Sequence, residues 1–89
     1  MNDTRRKSLA DIRSRIELAL GELGNAKEEL EDVINAEQEA FDNMPEGLQQ
    51  ADRGQTMEEG ISALEESSSN LDDAVNALED IMGQFDEVL

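Results

Sequence analysis

Apolar residues recur along this chain with a period of seven, and they do so in two separate stretches. In the first, Leu9, Ile16, Leu23 and Leu30 hold that spacing. Ile12, Ala19, Ala26, Val33 and Ala40 follow three places later, with Leu20, Ile34 and Phe41 at the adjoining position. In the second, Met57, Leu64, Leu71, Leu78 and Phe85 form one row and Ile61, Val75, Met82 and Leu89 the row beside it. Ala74, Ile81 and Val88 widen that stripe toward its end. Three apolar positions in seven make the broad stripe of a bundle helix, wider than a two-stranded seam. The pattern predicts two long amphipathic helices, at about residues 4–42 and 57–88.

Between them lies "NMPEGLQQADRGQT", residues 43–56. Pro45 disfavours helix at Met44 and is suited to open a short turn running through Gln50. Thr56 followed by Glu59 fits a capping box, which places the start of the second helix at Met57. Gly21 and Gly24 each cost about 1 kcal/mol against alanine inside a helix. The apolar phase nevertheless continues from Leu23 to Leu30, so one helix, weakened or bent there, is expected.

A connector between two matched stripes predicts an all-α fold: an antiparallel two-helix hairpin, coiled-coil-like, forming a single domain over residues 1–89. Two helices alone leave part of so broad a stripe uncovered, which points to a homodimer closing into a four-helix bundle. Pairing Met44 with Met57 sets a register in which Leu30 meets Leu71, Leu23 meets Leu78 and Ile16 meets Phe85. The connector is expected to be ordered, with Phe41, Pro45 and Leu48 capping the bundle end and Arg53 bonded to Glu37 or Asp42.

Composition narrows the chemistry. Cysteine and histidine are absent from the 89 residues, which removes thiolate metal sites, disulfides and the usual general base. No apolar run approaches the length of a membrane span, and Met1 to Leu9 is too polar for a signal peptide. A cytoplasmic protein without membrane contact is the expectation.

The net charge of −16 is unevenly spread. Residues 1–15 hold five basic side chains (Arg5, Arg6, Lys7, Arg13, Arg15) against Asp3 and Asp11, a net +3. The rest holds only Lys27 and Arg53 against 21 acids, a net −19. So acidic a body repels nucleic acid and suits the basic surfaces that nucleic acid binds. The basic cluster is expected beside Asp80, Asp86 and Glu87, neutralising the end of the second helix.

Within that helix Glu58-Glu59, Glu65-Glu66, Asp72-Asp73, Glu79-Asp80 and Asp86-Glu87 are five acidic pairs spaced by seven residues, with no Lys or Arg among them. The first of each pair flanks the core row and the second points outward, giving an anionic ridge. Mixed charges would instead add about 0.2–0.5 kcal/mol per i,i+4 pair, so solubility alone does not account for the purity of the ridge. Ten charges on this helix amount to roughly one per 5 Å, and both arms together to roughly one per 2.6 Å, against about 1.7 Å for duplex DNA. A dimer of such hairpins approaches the charge density of DNA.

Two other features of the acidic residues bear on chemistry. Glu28 with Glu31, and Glu29 with Asp32, have the three-residue spacing that puts carboxylates on one helix face, as in Mg²⁺-dependent all-α nucleotide hydrolases. The second helix lacks a matching motif, and no side chains are placed to hold a nucleotide. No catalytic residue, metal site or cofactor is therefore assigned. Glu37 falls where the apolar row predicts a hydrophobic residue. Either the helix end is loose there and Glu37 is solvated, or Glu37 lies beside "SSSN" at Ser67 to Asn70 or beside Arg53 and forms a polar layer that fixes register.

The stretch "EQEAFDNMPEGLQQADRGQTMEEGISALEE", with "RRKSLADI" before it and "LDDAVNALEDI" after it, resembles a group of small acidic helical proteins of bacteriophages and prophages. Its pattern is matched at Glu37, Gln38, Phe41, Asp42, Asn43, Pro45, Leu48, Gln49, Arg53 and Gly54. The resemblance implies a phage context, and with it an inhibitor of a host or defence protein. The expected function is binding, not catalysis. Glu58, Glu59, Glu65, Glu66, Asp72, Asp73, Glu79 and Asp80 would present a DNA-mimicking surface to a basic partner such as a defence nuclease. The alternative is an adaptor bundle that recognises its partner through Phe41, Asn43, Pro45, Leu48, Gln49 and Arg53.

Overall fold

The computed structural model describes all 89 residues and contains three helices and no strand. Helix α1 runs Asp3–Asp42, α2 is the four-residue Glu46–Gln49, and α3 runs Asp52–Val88. The two long helices pack against each other as an antiparallel hairpin. No helix is long and apolar enough to cross a membrane.

Asn2 starts α1. Its side-chain oxygen accepts the Arg5 amide at 2.9 Å and its carbonyl accepts Arg6, the pattern of an asparagine N-cap. The helix continues through Gly21 and Gly24 without interruption. It ends where Pro45 can neither donate an amide nor follow a helical residue. Pro45 then opens α2, its carbonyl accepting the amides of Leu48 and Gln49.

Helix α3 begins at Asp52, five residues before the predicted start, so the connector is much shorter than residues 43–56. Thr56 is not a cap. Its hydroxyl turns back to the Asp52 carbonyl at 2.9 Å, as a threonine does inside a helix. Gly54 is what lets α3 begin so early. It is buried, and a Cβ there would land on the backbone carbonyls of Leu48 and Gln49. The residue is therefore set by the close approach of α2 to α3.

The chain divides into two compact units. Unit 1 comprises residues 1–26 and 71–89, and unit 2 comprises residues 27–70. Unit 2 holds the two most deeply buried hydrophobic side chains, Ile34 at 8 % exposure and Ile61 at 5 %. Burial on this scale stabilises by about 1.5–3 kcal/mol per side chain. In unit 1 the inward positions of α3 (Leu71, Val75, Leu78, Met82, Phe85) are half-buried.

The inward positions of α1 follow a strict three-four alternation: Leu9, Arg13, Ile16, Leu20, Leu23, Lys27, Leu30, Ile34 and, after a break at Glu37, Phe41 and Met44. The predicted second row, Ile12, Ala19, Ala26, Val33 and Ala40, is instead exposed. Two helices bury two positions in seven, so the third row of the broad stripe stays outside. Arg13 and Lys27 take inward places as half-buried side chains whose charged ends pair with Asp86 and Glu31, as long cationic side chains can do by burying their methylenes and keeping the charge at the surface. Glu37 is exposed and makes no hydrogen bond, so it forms no polar layer with the serines or with Arg53.

Candidate functional site

Unit 2 carries most of the charge. It holds Lys27 and Arg53 against thirteen acids, hence −11, whereas unit 1 holds five basic residues against ten acids, hence −5. All eight carboxylates of the predicted surface are exposed: Glu58, Glu59, Glu65 and Glu66 in unit 2, and Asp72, Asp73, Glu79 and Asp80 in unit 1. The four in unit 2 make no ion pair or hydrogen bond. Glu58, Glu59 and Glu66 line a shallow, open depression on α3 together with Gln55, Ser62 and Ala63. No group of three acidic side chains is gathered closely enough to hold a metal ion.

The acidic pairs are not wholly without counter-charge. Asp86 is gripped by Arg13, with Nε donating to Oδ1 at 2.6 Å and Nη2 to Oδ2 at 3.1 Å. Asp72 also has an interaction partner. The hydrogen bond to Asp86, and next its negative charge, raise the Arg13 pKa above the ordinary arginine value. Of the basic cluster, Arg13 alone reaches the acidic end of α3. Arg6 pairs with Asp3 and Arg15 with Asp11, while the side chains of Arg5 and Lys7 have no carboxylate partner.

The predicted connector site separates into an inner and an outer set. Phe41 and Gln49 are half-buried, and the Gln49 side-chain amide donates to the Phe41 carbonyl at 2.8 Å. The same carbonyl also accepts the Met44 amide at 3.1 Å, so the Gln49 bond is its second and ties α2 to the end of α1. Asn43, Pro45, Leu48 and Arg53 are exposed. Phe41, Pro45 and Leu48 therefore form no closed apolar cap, since Leu48 keeps 51 % of its surface exposed. Arg53 bonds neither Glu37 nor Asp42. Asp42 accepts from Gln38 instead.

Leu48 and Arg53 line a cavity of about 300 Å³ with Ala40, Met44 and Met57, all within unit 2. Met44, Met57 and Ala40 were not among the predicted site residues. The signal for the two methionines was their place on either side of the connector, where an antiparallel hairpin brings them face to face.

No protein-family model, curated protein or solved structure matches the chain.

Proposed function

We propose that this protein acts by binding, not by catalysis, and that its anionic face occupies a basic surface that would otherwise hold nucleic acid. The observation that carries this reading is the set of exposed, unpaired carboxylates Glu58, Glu59, Glu65 and Glu66 on a unit of net charge −11. Opposite charge on a partner steers encounter and is matched along the row, whereas self-repulsion disfavours leaving the row uncovered. In the phage context that the sequence resembles, the partner is a nucleic-acid-binding protein of the host or its defence, and covering it inhibits it.

A second copy of this chain is the partner for the outer apolar row of α1, where Ile12 and Val33 remain 39 % and 52 % exposed. The dimer doubles the number of anionic faces.

The test is capture from a bacterial lysate on the immobilised protein, followed by elution with duplex DNA or with salt raised to ~0.5 M. Nucleic-acid-binding proteins released by both are the expected result. Partners that stay bound against excess DNA would overturn mimicry.

A further inference from the structure

We infer that the cavity of unit 2 between Met44, Leu48, Arg53 and Met57 takes an aromatic side chain carried on a basic segment of a partner protein. The partner's basic character rests on the proposed function; the aromatic anchor rests on the cavity itself.

Three features of the cavity converge on that occupant. Its volume, about 300 Å³, lies at the small end of ligand sites, which span roughly 300–1,000 Å³, and suits one large side chain. Its walls are chemically uneven. Met44 and Met57 supply two thioethers, which adapt in shape and make favourable sulfur contacts with aromatic rings. Leu48 and Ala40 add aliphatic surface. Arg53 then supplies a planar guanidinium that pairs with no carboxylate, although it is the only basic residue after Lys27 in a strongly acidic sequence. A planar cation of this kind stacks on the face of an aromatic ring.

Other occupants fit less of this. An aliphatic side chain would satisfy the methionines and leucine but leave the guanidinium unmatched. A carboxylate would satisfy Arg53 but would have to approach a unit of net charge −11. An aromatic ring flanked by Lys or Arg meets all of the walls. Its flanking cations find Glu39, Asp52 and Glu58, which are exposed, whose carboxylates make no hydrogen bond, and which are adjacent in sequence to Ala40, Arg53 and Met57.

The cavity is also held in shape before any partner arrives. Gln49 fastens α2 to the end of α1 through the Phe41 carbonyl, and the bare Gly54 backbone lies against the Leu48 and Gln49 carbonyls. A preformed pocket loses less to ordering when it is filled.

The chain contains no Trp or Tyr, so the fluorescence of a tryptophan peptide reports on the peptide alone. The probe is a capped peptide, Lys-Arg-Trp-Arg-Lys, titrated with the full-length protein. The expected result is a blue-shifted tryptophan emission with reduced acrylamide quenching. Leu48→Ala combined with Arg53→Gln should weaken binding by about tenfold and abolish the shift. Both residues are exposed, and circular dichroism checks that helicity is kept. Arg53→Lys, which keeps the charge and loses the stacking plane, should also weaken binding. Replacing Trp by Leu in a competitor peptide should reduce its potency by a similar factor.

An emission that stays at its value in water, equal binding by the double variant, or equal competition by the leucine peptide would each overturn the proposal. If the indole enters the cavity while DNA fails to displace captured proteins, mimicry fails and the cavity stands. If DNA displaces them while the indole remains in water, the cavity fails and mimicry stands.

Discussion

Arg13 and Asp86 lie 73 residues apart in the chain and meet through two parallel hydrogen bonds from one guanidinium to one carboxylate. Arg13 occupies an inward place on α1, and Asp86 is the first member of the last acidic pair on α3. Their fork-to-fork geometry fixes which turn of one helix lies opposite which turn of the other within unit 1. A core with few buried side chains specifies register weakly, and a bidentate pair supplies the specificity that apolar contacts leave open.

Arg13→Lys should therefore lower the melting temperature even though the charge is conserved, because an ammonium cannot make the two-point contact. Asp86→Asn should do the same. Arg13→Asp together with Asp86→Arg should recover part of the loss. The pH dependence follows from the raised pKa of Arg13. A basic group raised in the folded state contributes stability that is fully present below its unfolded-state value and is lost only as pH rises through the folded-state one. The penalty of Arg13→Lys should consequently not shrink between about pH 7 and about pH 10, since the arginine keeps its charge over that range while the substituted lysine begins to lose its own. Thermal melts at the two pH values check this, and a penalty that shrinks by pH 10 would contradict it.

The glycines divide by their surroundings. At Gly21 and Gly24 nothing lies within 4 Å of where a Cβ would sit, so alanine there gains helix propensity at no steric cost. Each substitution should stabilise by up to about 1 kcal/mol, or raise the melting temperature by about 4–8 °C. Gly54→Ala should act in the opposite sense, since its methyl group collides with the α2 carbonyls. Equal gains at all three positions would show that α2 does not pack on α3 in solution.

Stability should rise with salt. Thirteen acids face two basic residues in unit 2, and exposed like charges repel over a distance that added ions shorten. Screening also weakens the five ion pairs, but exposed pairs contribute little and are outweighed by the repulsions among the acids. A melting temperature that falls between ~0.02 and ~0.5 M salt would sink the view that repulsion limits this fold.

The outer row of α1 predicts association. Ile12→Glu with Val33→Glu should give a folded monomer at concentrations where the wild type is dimeric by light scattering, with helicity retained. Both positions are exposed in the hairpin, so their loss leaves the interior intact. A wild type that is monomeric at tens of micromolar would remove the dimer and leave the hairpin unchanged.

How much of this was legible in the sequence depended on whether the signal was local. The span of α1 was, since the expected 4–42 is met by a helix over Asp3–Asp42, and the turn at Pro45 was as well. The start of α3 was not. Thr56 and Glu59 have the letters of a capping box, but the helix gains five earlier residues by packing Gly54 on α2, a tertiary contact that no local pattern announces. The inner row of α1 was half legible. Arg13 and Lys27 do not belong to the apolar rows, and only the folded hairpin shows that they take half-buried inward places on α1. The acids were plain from their spacing, whereas the cavity was not, since Ala40, Met44 and Met57 come together only when the hairpin closes.

The acidic row and the connector cavity make opposite predictions about which substitutions matter most for partner binding. Glu59, Glu65 and Glu66 are exposed, make no hydrogen bond, and do not line the cavity. Changing all three to lysine removes three negative charges and adds three positive ones, which takes unit 2 from −11 to −5 and relieves repulsion, so the fold should persist. If a basic partner reads these carboxylates as it would read phosphates, this variant should lose binding and lose the salt dependence of what remains. Leu48→Ala with Arg53→Gln should then cost only the aromatic anchor, about tenfold, and leave the salt dependence intact. If the protein is instead an adaptor recognised at its connector, the cavity variant loses binding and the lysine variant keeps it at any salt. Affinities measured for both variants against one captured partner, at ~0.02 and ~0.5 M salt and with helicity checked by circular dichroism, decide between them. Unchanged affinity in a folded three-lysine variant would remove the carboxylate row as the binding face.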